Sequence, residues 1–177
     1  MYSPREDSYF LSEILKSQLK DKNKKIKILD IGSGIGILAS SCLNLGFKNI
    51  IASDIDSETI NYLKTKFKNK IKIIKSDLFS QINEKFDLII FNPPYLPEDK
   101  FDKKKDTTAG KKGCELIIRF LKQAKSHLKK DGKIILLFSS FSKPEKILEQ
   151  ARNLKYNYKL LAEKNLFFEK LFVYKFS

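Results

Sequence analysis

The stretch FDLIIFNPPYLPEDK, residues 86–100, is apolar from Leu88 to Phe91 and then meets Asn92, Pro93, Pro94 and Tyr95. An apolar run closed by a proline pair reads as a strand buried on both faces, and such strands belong to parallel sheets covered by helices. The strand stops at Asn92. That is the carboxyl edge of the sheet, where open α/β folds bind their ligands.

On either side of this strand, short apolar runs alternate with helix-period segments, the pattern of a Rossmann-like, doubly wound α/β fold with helices on both faces. Upstream come the strand KIKILDIG, the helix GILASSCLNLG stopped by Gly46, the strand NIIASD, the helix SETINYLKTKFKN opened by Ser57, and the strand KIKIIKSD. Downstream, CELIIRFLKQAKSHLKK places apolar residues at 116, 117, 120, 121, 124 and 128 on one helical face, with Asp131-Gly132 as its expected stop. The strand KIILLFSS follows, then the helix PEKILEQARNL, expected to open at Ser142 and Pro144. The tail YNYKLLAEKNLFFEKLFVYKF reads as two strands joined by a turn at 167–169, too short for a crossover and therefore antiparallel. The expectation is a single domain over 1–177 with a seven-stranded, mostly parallel sheet whose last strand is antiparallel. The segment 96–113 is long and charged enough for a functional loop.

Composition narrows the function. The net charge of +14 comes almost entirely from lysine, since only Arg5, Arg119 and Arg152 are arginines, and lysine lacks the planar fork that recognises phosphate specifically. Cys42 and Cys114 form no Cys-x-x-Cys pair and read as small buried residues, so neither a disulfide framework nor a metal site is expected. The single histidine, His127, reads as a solvated residue near a helix end, which leaves catalysis to other groups. The opening MYSPREDSYF is not a secretory leader and no apolar run reaches membrane-spanning length, so the expected location is the cytoplasm.

At the first strand-to-helix junction, DIGSGIG (30–36) lets the backbone turn tightly and approach a ligand. A dinucleotide fingerprint would need its third glycine at 37, where Ile37 stands; the glycine is at 36 instead. The spacing Asp-x-Gly-x-Gly-x-Gly resembles the first motif of S-adenosylmethionine-dependent methyltransferases, with Asp30, Gly32 and Gly34 as candidate cofactor contacts. Two further acids end strands on the same edge: Asp54, suited to two ribose hydroxyls, and Asp77, placed for an adenine amino group.

Methyl transfer to nitrogen requires holding a lone pair behind the methyl group. The side-chain oxygen of Asn92 and the carbonyl of Pro93 or Pro94 can each accept one N–H of a planar NH2 group, the prolines fix φ, and Tyr95 offers a flat face. Asn92-Pro93-Pro94-Tyr95 is therefore a candidate reader of NH2 groups; the alternative is a strand-ending turn without chemistry.

Together these segments resemble the HemK-like protein glutamine methyltransferases, class I enzymes that modify class-1 translation release factors. YSPREDSYFL is similar to the family's Pro-x-x-Asp-Ser/Thr opening, which implies a cofactor contact for Ser8; DIGSGIG, ASDID, SDLF with Asp77 and Leu78, and FNPPY follow in family order; TTAGKKGCELIIRFL resembles a Gly-Gly-x-x-Gly-x-Glu segment, with Ala109 at its first glycine. The chain begins directly on the Pro-x-x-Asp-Ser opening, and in this is similar to the short archaeal and eukaryotic branch. The resemblance implies S-adenosylmethionine as cofactor, the glutamine of a release factor's Gly-Gly-Gln loop as acceptor, and a small zinc-binding activator adding a strand at the edge formed by 71–76. Alternatives on the same fold are an adenine or guanine amino methyltransferase acting on nucleic acid, a protein lysine methyltransferase, and a non-catalytic assembly protein.

Overall fold

The computed structural model describes residues 6–94 and 114–177; Tyr95, the segment 96–113 with Ala109, and residues 1–5 lie outside them. The elements are α1 (Glu6–Leu19), β1 (Ile28–Ile31), α2 (Ile37–Asn44), β2 (Ile50–Asp54), α3 (Ser57–Phe67), β3 (Lys72–Lys75), β4 (Phe86–Phe91), α4 (Glu115–Ala124), β5 (Leu128–Ser139), α5 (Pro144–Asn153), β6 (Tyr158–Asn165) and β7 (Lys170–Phe176). The strands form one sheet in the order β3-β2-β1-β4-β5-β7-β6. Strands β3, β2, β1, β4 and β5 are parallel, while β7 runs antiparallel to both β5 and β6. The architecture matches the expected mixed sheet, and no helix among the described residues is long and apolar enough to cross a membrane.

Strand side chains alternate between two apolar layers. Leu29, Ile31, Phe86, Ile89, Phe91, Ile134, Leu136 and Phe138 join Phe120 of α4 and Ile147 of α5 on one face. Ile28, Leu88, Ile90, Ile135 and Leu137 join Leu11 and Leu15 of α1, Leu38 of α2 and Leu63 of α3 on the other. Burial on both faces is why β1, β4 and the second half of β5 read as continuous apolar runs. The parity also places chemistry: Asp30 and Asn92 are in step with Ile28 and Ile90, so both point into the layer of α1 and α2.

Five local readings are corrected. Helix α1 adds an element ahead of the first strand, with its apolar period at Phe10, Leu11, Ile14, Leu15 and Leu19; its buried stripe also includes Asp7, Ser8 and Ser12, and the Ser12 hydroxyl meets that of Ser41 at 2.7 Å. The N-cap of α3 is Asp56, which accepts from the Thr59 N–H at 2.9 Å, while Ser57 is the first helical residue. Helix α4 ends at Ala124 with a 3-10 turn over Lys125–His127, and Asp131-Gly132 lies inside β5 instead of stopping the helix. There the β4–β5 register slips between Phe86 and Leu88, and a Cβ on Gly132 would stand 2.8 Å from the carbonyl oxygen of Phe86. Helix α5 is capped by Lys143, in a left-handed conformation before Pro144; Ser142 instead closes a capping box with Ser139. His127 is half-buried, its ring stacked on Phe79 with centroids 4.4 Å apart.

Gly36 explains the glycine spacing. It starts α2 at φ 76°, and a Cβ there would meet Leu63 Cδ2 and Phe67 Cε2 of α3 at 2.8 Å. Gly36→Ala therefore incurs both left-handed strain and overpacking, about 2 kcal/mol or more. Denaturant melts should show that loss, and an unchanged midpoint would contradict this packing.

Candidate active site

The carboxyl ends of β1, β2 and β4 meet around the glycine turn. Gly32 and Gly34 have φ of 62° and 50°, a conformation that favours glycine, and a Cβ on Gly32 would touch the Phe91 ring at 3.4 Å. The turn is fastened from β2: the Ser33 N–H donates to the Ser53 carbonyl at 2.9 Å, and the Gly34 N–H donates to Asp54 Oδ2 at 3.0 Å. Asp54 Oδ1 accepts from the Asp56 N–H at 3.0 Å, so the carboxylate is held between the glycine turn and the start of α3. An ionised carboxylate has about four lone-pair sites. Asp54 thus keeps acceptor capacity beyond these two bonds.

Asp30 is completely buried beneath α2. Its Oδ2 accepts from the Ala39 N–H at 3.1 Å, and its Oδ1 is buried with no hydrogen-bond partner. Loss of water around the carboxylate pushes its pKa up from 3.8 to about 7, against the lowering effect of the Ala39 hydrogen bond and of the nearby Ser33 hydroxyl, which itself donates to the Asp30 backbone carbonyl, and the nearby Asp54 adds to the rise.

Asn92 closes the site. Its Nδ2 donates to Asp7 Oδ2 at 3.1 Å and to Ser8 Oγ at 3.3 Å, both in the first turn of α1. Only the NH2 end of an amide can donate to a carboxylate, so these contacts decide which way the amide faces. Its other end, Oδ1, is buried without a hydrogen-bond partner among the described residues. Ser8, Gly32, Ser33, Gly34, Ile35, Ile37, Leu38 and Asn92 line one hollow, which brings Ser8, both glycines and the asparagine together. Pro93 is buried and Pro94 half-buried behind Asn92; Tyr95 lies outside the described residues.

Asp77 and Leu78 sit just beyond β3. Both oxygens of Asp77 accept from Arg119 of α4, at 2.7 and 3.0 Å, and Leu78 is buried at φ 48° with its carbonyl accepting from the Ser76 hydroxyl at 2.8 Å. The reading of the sequence missed Asp7 and Arg119 as site residues. Asp7 was adjacent to a residue already singled out, and Arg119 was one of only three arginines in a lysine-rich chain.

Residues 10–168 match the family model described as "Methyltransferase small domain". The chain is 35% identical to a putative protein N5-glutamine methyltransferase of Methanocaldococcus jannaschii, over 98% of this chain and 89% of that protein. It is also 35% identical to the release factor glutamine methyltransferase of Borreliella burgdorferi, over 75% of this chain but only 51% of the bacterial protein. Among solved structures, the E. cuniculi Mtq2–Trm112 complex, which methylates the termination factor eRF1, superposes with a TM-score of 0.81 at 21% identity, covering 99% of this chain and 97% of that one. At that identity the superposition speaks for the fold.

The buried Asp30 has a measurable consequence. Between pH 3.8, its ordinary value, and about 7, the folded chain holds a proton that the unfolded chain has released, so this group's contribution to stability falls as pH rises through that window and stays low above it. Asp30→Asn should flatten that part of the profile and raise the melting temperature relative to the parent near neutral and higher pH. Parallel melting profiles for parent and variant would contradict the burial cost assigned to Asp30.

Proposed function

We propose that this chain, which belongs to the methyltransferase small domain family, transfers a methyl group from S-adenosylmethionine to the side-chain amide nitrogen of a glutamine in the Gly-Gly-Gln loop of a class-1 translation release factor. The observation that carries this reading is the locked amide of Asn92, with its NH2 pinned to α1 and its buried Oδ1 left without a partner. A buried acceptor without a donor is costly, by about 1–3 kcal/mol, and a substrate N–H would satisfy it. The two prolines that follow carry carbonyls and no amide N–H. The end of β4 therefore offers acceptors, which suits the two donors of an amide NH2 and disfavours a glutamate carboxylate in the same place. Accepting from both N–H groups also favours the positive charge that develops on nitrogen as it is alkylated. The names of the archaeal and bacterial relatives support a glutamine acceptor.

The residues present fit the cofactor. The glycine turn leaves room for close backbone approach, Asp54 retains lone pairs for ribose hydroxyls, and the unpartnered Asp30 Oδ1 beneath the turn suits the electrostatics of a cationic amino-acid end. S-adenosylmethionine supplies an electrophilic methyl on a positively charged sulfur. In this assignment Ser8, Gly32, Gly34 and Asn92 surround the methionine end, Asp54 takes the ribose, and Asp77 with Leu78 flanks the adenine, where Arg119 orients the carboxylate. The cytoplasm is the corresponding place of action.

A partner belongs to this reading. Strand β3 is at the open edge of the sheet, with Lys72 and Lys75 exposed and Ile73 and Ile74 half-buried. The Ser76 N–H donates to the Asp54 carbonyl of β2 at 2.9 Å. By the two-residue alternation of a strand, Ile73 and Lys75 turn their backbone groups outward. Residues 71–76 thus form a template for one added strand; the occupant that the sequence resemblance implies is a small zinc-binding activator, and the similarly folded Mtq2 is itself in complex with a second protein, Trm112.

Asn92→Ala should leave S-adenosylmethionine affinity within a few-fold, by calorimetry, and lower turnover on a Gly-Gly-Gln substrate by roughly 10²–10³, the loss expected for one preorganised transition-state partner. Turnover at the parent rate would make Asn92 structural and end the NH2-reader account. Ile73→Pro removes an outward donor without breaking a β2–β3 bond. The folded variant, checked by circular dichroism, should no longer co-elute with the activator in size-exclusion chromatography; continued co-elution would exclude this edge as the interface.

A further inference from the structure

The turn between β6 and β7 carries two largely exposed phenylalanines whose one ring contact among the described residues is with each other. Phe167 is 92% and Phe168 82% exposed, and their rings meet edge to face with centroids 4.6 Å apart. The proposed chemistry uses neither, and the sequence offered no role for them.

Their position in the fold is informative. Phe91, the last residue of β4, is level with Leu136 of β5, and three residues farther along β5, Ser139 is level with Leu171 of β7. The root of the hairpin thus stands about 10 Å past the end of β4, on the carboxyl side of the sheet, and about two strand spacings, again roughly 10 Å, to one side of it. The tip therefore projects from the same edge as Asn92 and above it. Three contacts fix it there. The Lys170 N–H donates to Ser140 Oγ at 3.1 Å, just past the end of β5; Leu166 packs against the α1 layer and its N–H donates to the Glu169 carbonyl at 2.8 Å; and Lys164 pairs with Glu6 at 3.3 Å. Glu6 is next to Asp7 and Ser8, the residues that hold the Asn92 amide. Tip and acceptor reader are thus anchored to the same turn of α1.

We infer that the Phe167–Phe168 tip is a docking surface for the methyl-accepting protein, gripping an apolar patch of polypeptide outside the loop that enters the site. The inference rests on the glutamine reading above and adds to it a determinant of which protein is accepted. Charge argues for polypeptide over nucleic acid. Among the described residues, the two lysines that flank the tip are each paired with a carboxylate, Lys164 with Glu6 and Lys170 with Glu163 at 2.9 Å, whereas binding a phosphate backbone calls for cations free to neutralise it. Exposed aromatic pairs are suited to the apolar centre of a protein interface.

The test compares the parent with the Phe167→Ser/Phe168→Ser variant, each in the complex in which it purifies, on a full-length release factor and on a short Gly-Gly-Gln peptide. Both side chains are exposed, so the fold should not change, and circular dichroism checks this. The expected result is a KM for the protein raised about tenfold or more, with kcat, cofactor affinity and peptide kinetics unchanged. A photo-crosslinking residue at 168 should label the release factor. Unaltered protein KM with a methylated peptide overturns the inference alone, as does crosslinking to RNA or to a second copy of the chain. If the parent methylates neither substrate, the glutamine reading fails and the inference with it.

Discussion

Two hydrogen bonds from the Asn92 amide to Asp7 and Ser8 decide what this fold can do. They join the end of β4 to the first turn of α1, and they turn the amide so that its oxygen is left without a partner at the edge of the glycine hollow. An asparagine free to rotate would present donor or acceptor in turn and would read no particular group. Held by a carboxylate and a hydroxyl, it presents an acceptor only. The α1 stripe that makes this possible is correspondingly polar, and the leucines of the same helix, Leu11, Leu15 and Leu19, bind it to the sheet. Packing in the lower turns of α1 thus fixes a hydrogen bond in its first.

A second constraint acts one strand away. Asp54 takes the Gly34 and Asp56 amides with its two oxygens, so one side chain sets both the glycine turn and the entry to α3. Gly36 then lets α2 begin close against Leu63 and Phe67 of α3. Beneath them Asp30 remains buried with one oxygen unsatisfied, a cost that packing alone would not retain. Buried acceptors without a partner among the described residues stand at the ends of two adjacent strands, β1 and β4, on the edge where the proposed ligand would sit.

The doubly wound sheet was legible because β1, β2 and β4 are buried on both faces and stand out as apolar runs, and because glycine at 36 instead of 37 set the turn apart from a dinucleotide site. The hairpin at 166–169 was equally visible from its short connection. The apolar period of α1, at Phe10, Leu11, Ile14, Leu15 and Leu19, is present in the sequence; what local pattern does not carry is that its polar first turn meets Asn92, 84 and 85 positions away. The end of α4 was misjudged because Leu128 continues the helical face in sequence while its backbone pairs with Phe86 of β4, a tertiary choice that local pattern does not carry. The Arg119–Asp77 pair joins residues 42 positions apart, and no spacing rule reaches that far.

The central claim is that the end of β4 reads a planar NH2 group on a glutamine side chain. It is tested most directly by incubating the chain, in the complex in which it purifies, with a release factor and isotope-labelled S-adenosylmethionine, and mapping the label by fragment-ion mass spectrometry. The account predicts a single labelled methyl on the side-chain nitrogen of the glutamine in the Gly-Gly-Gln loop, and none when that glutamine is replaced by glutamate. Label on a lysine, or on a nucleic-acid base in the same reaction with the protein unlabelled, would contradict it.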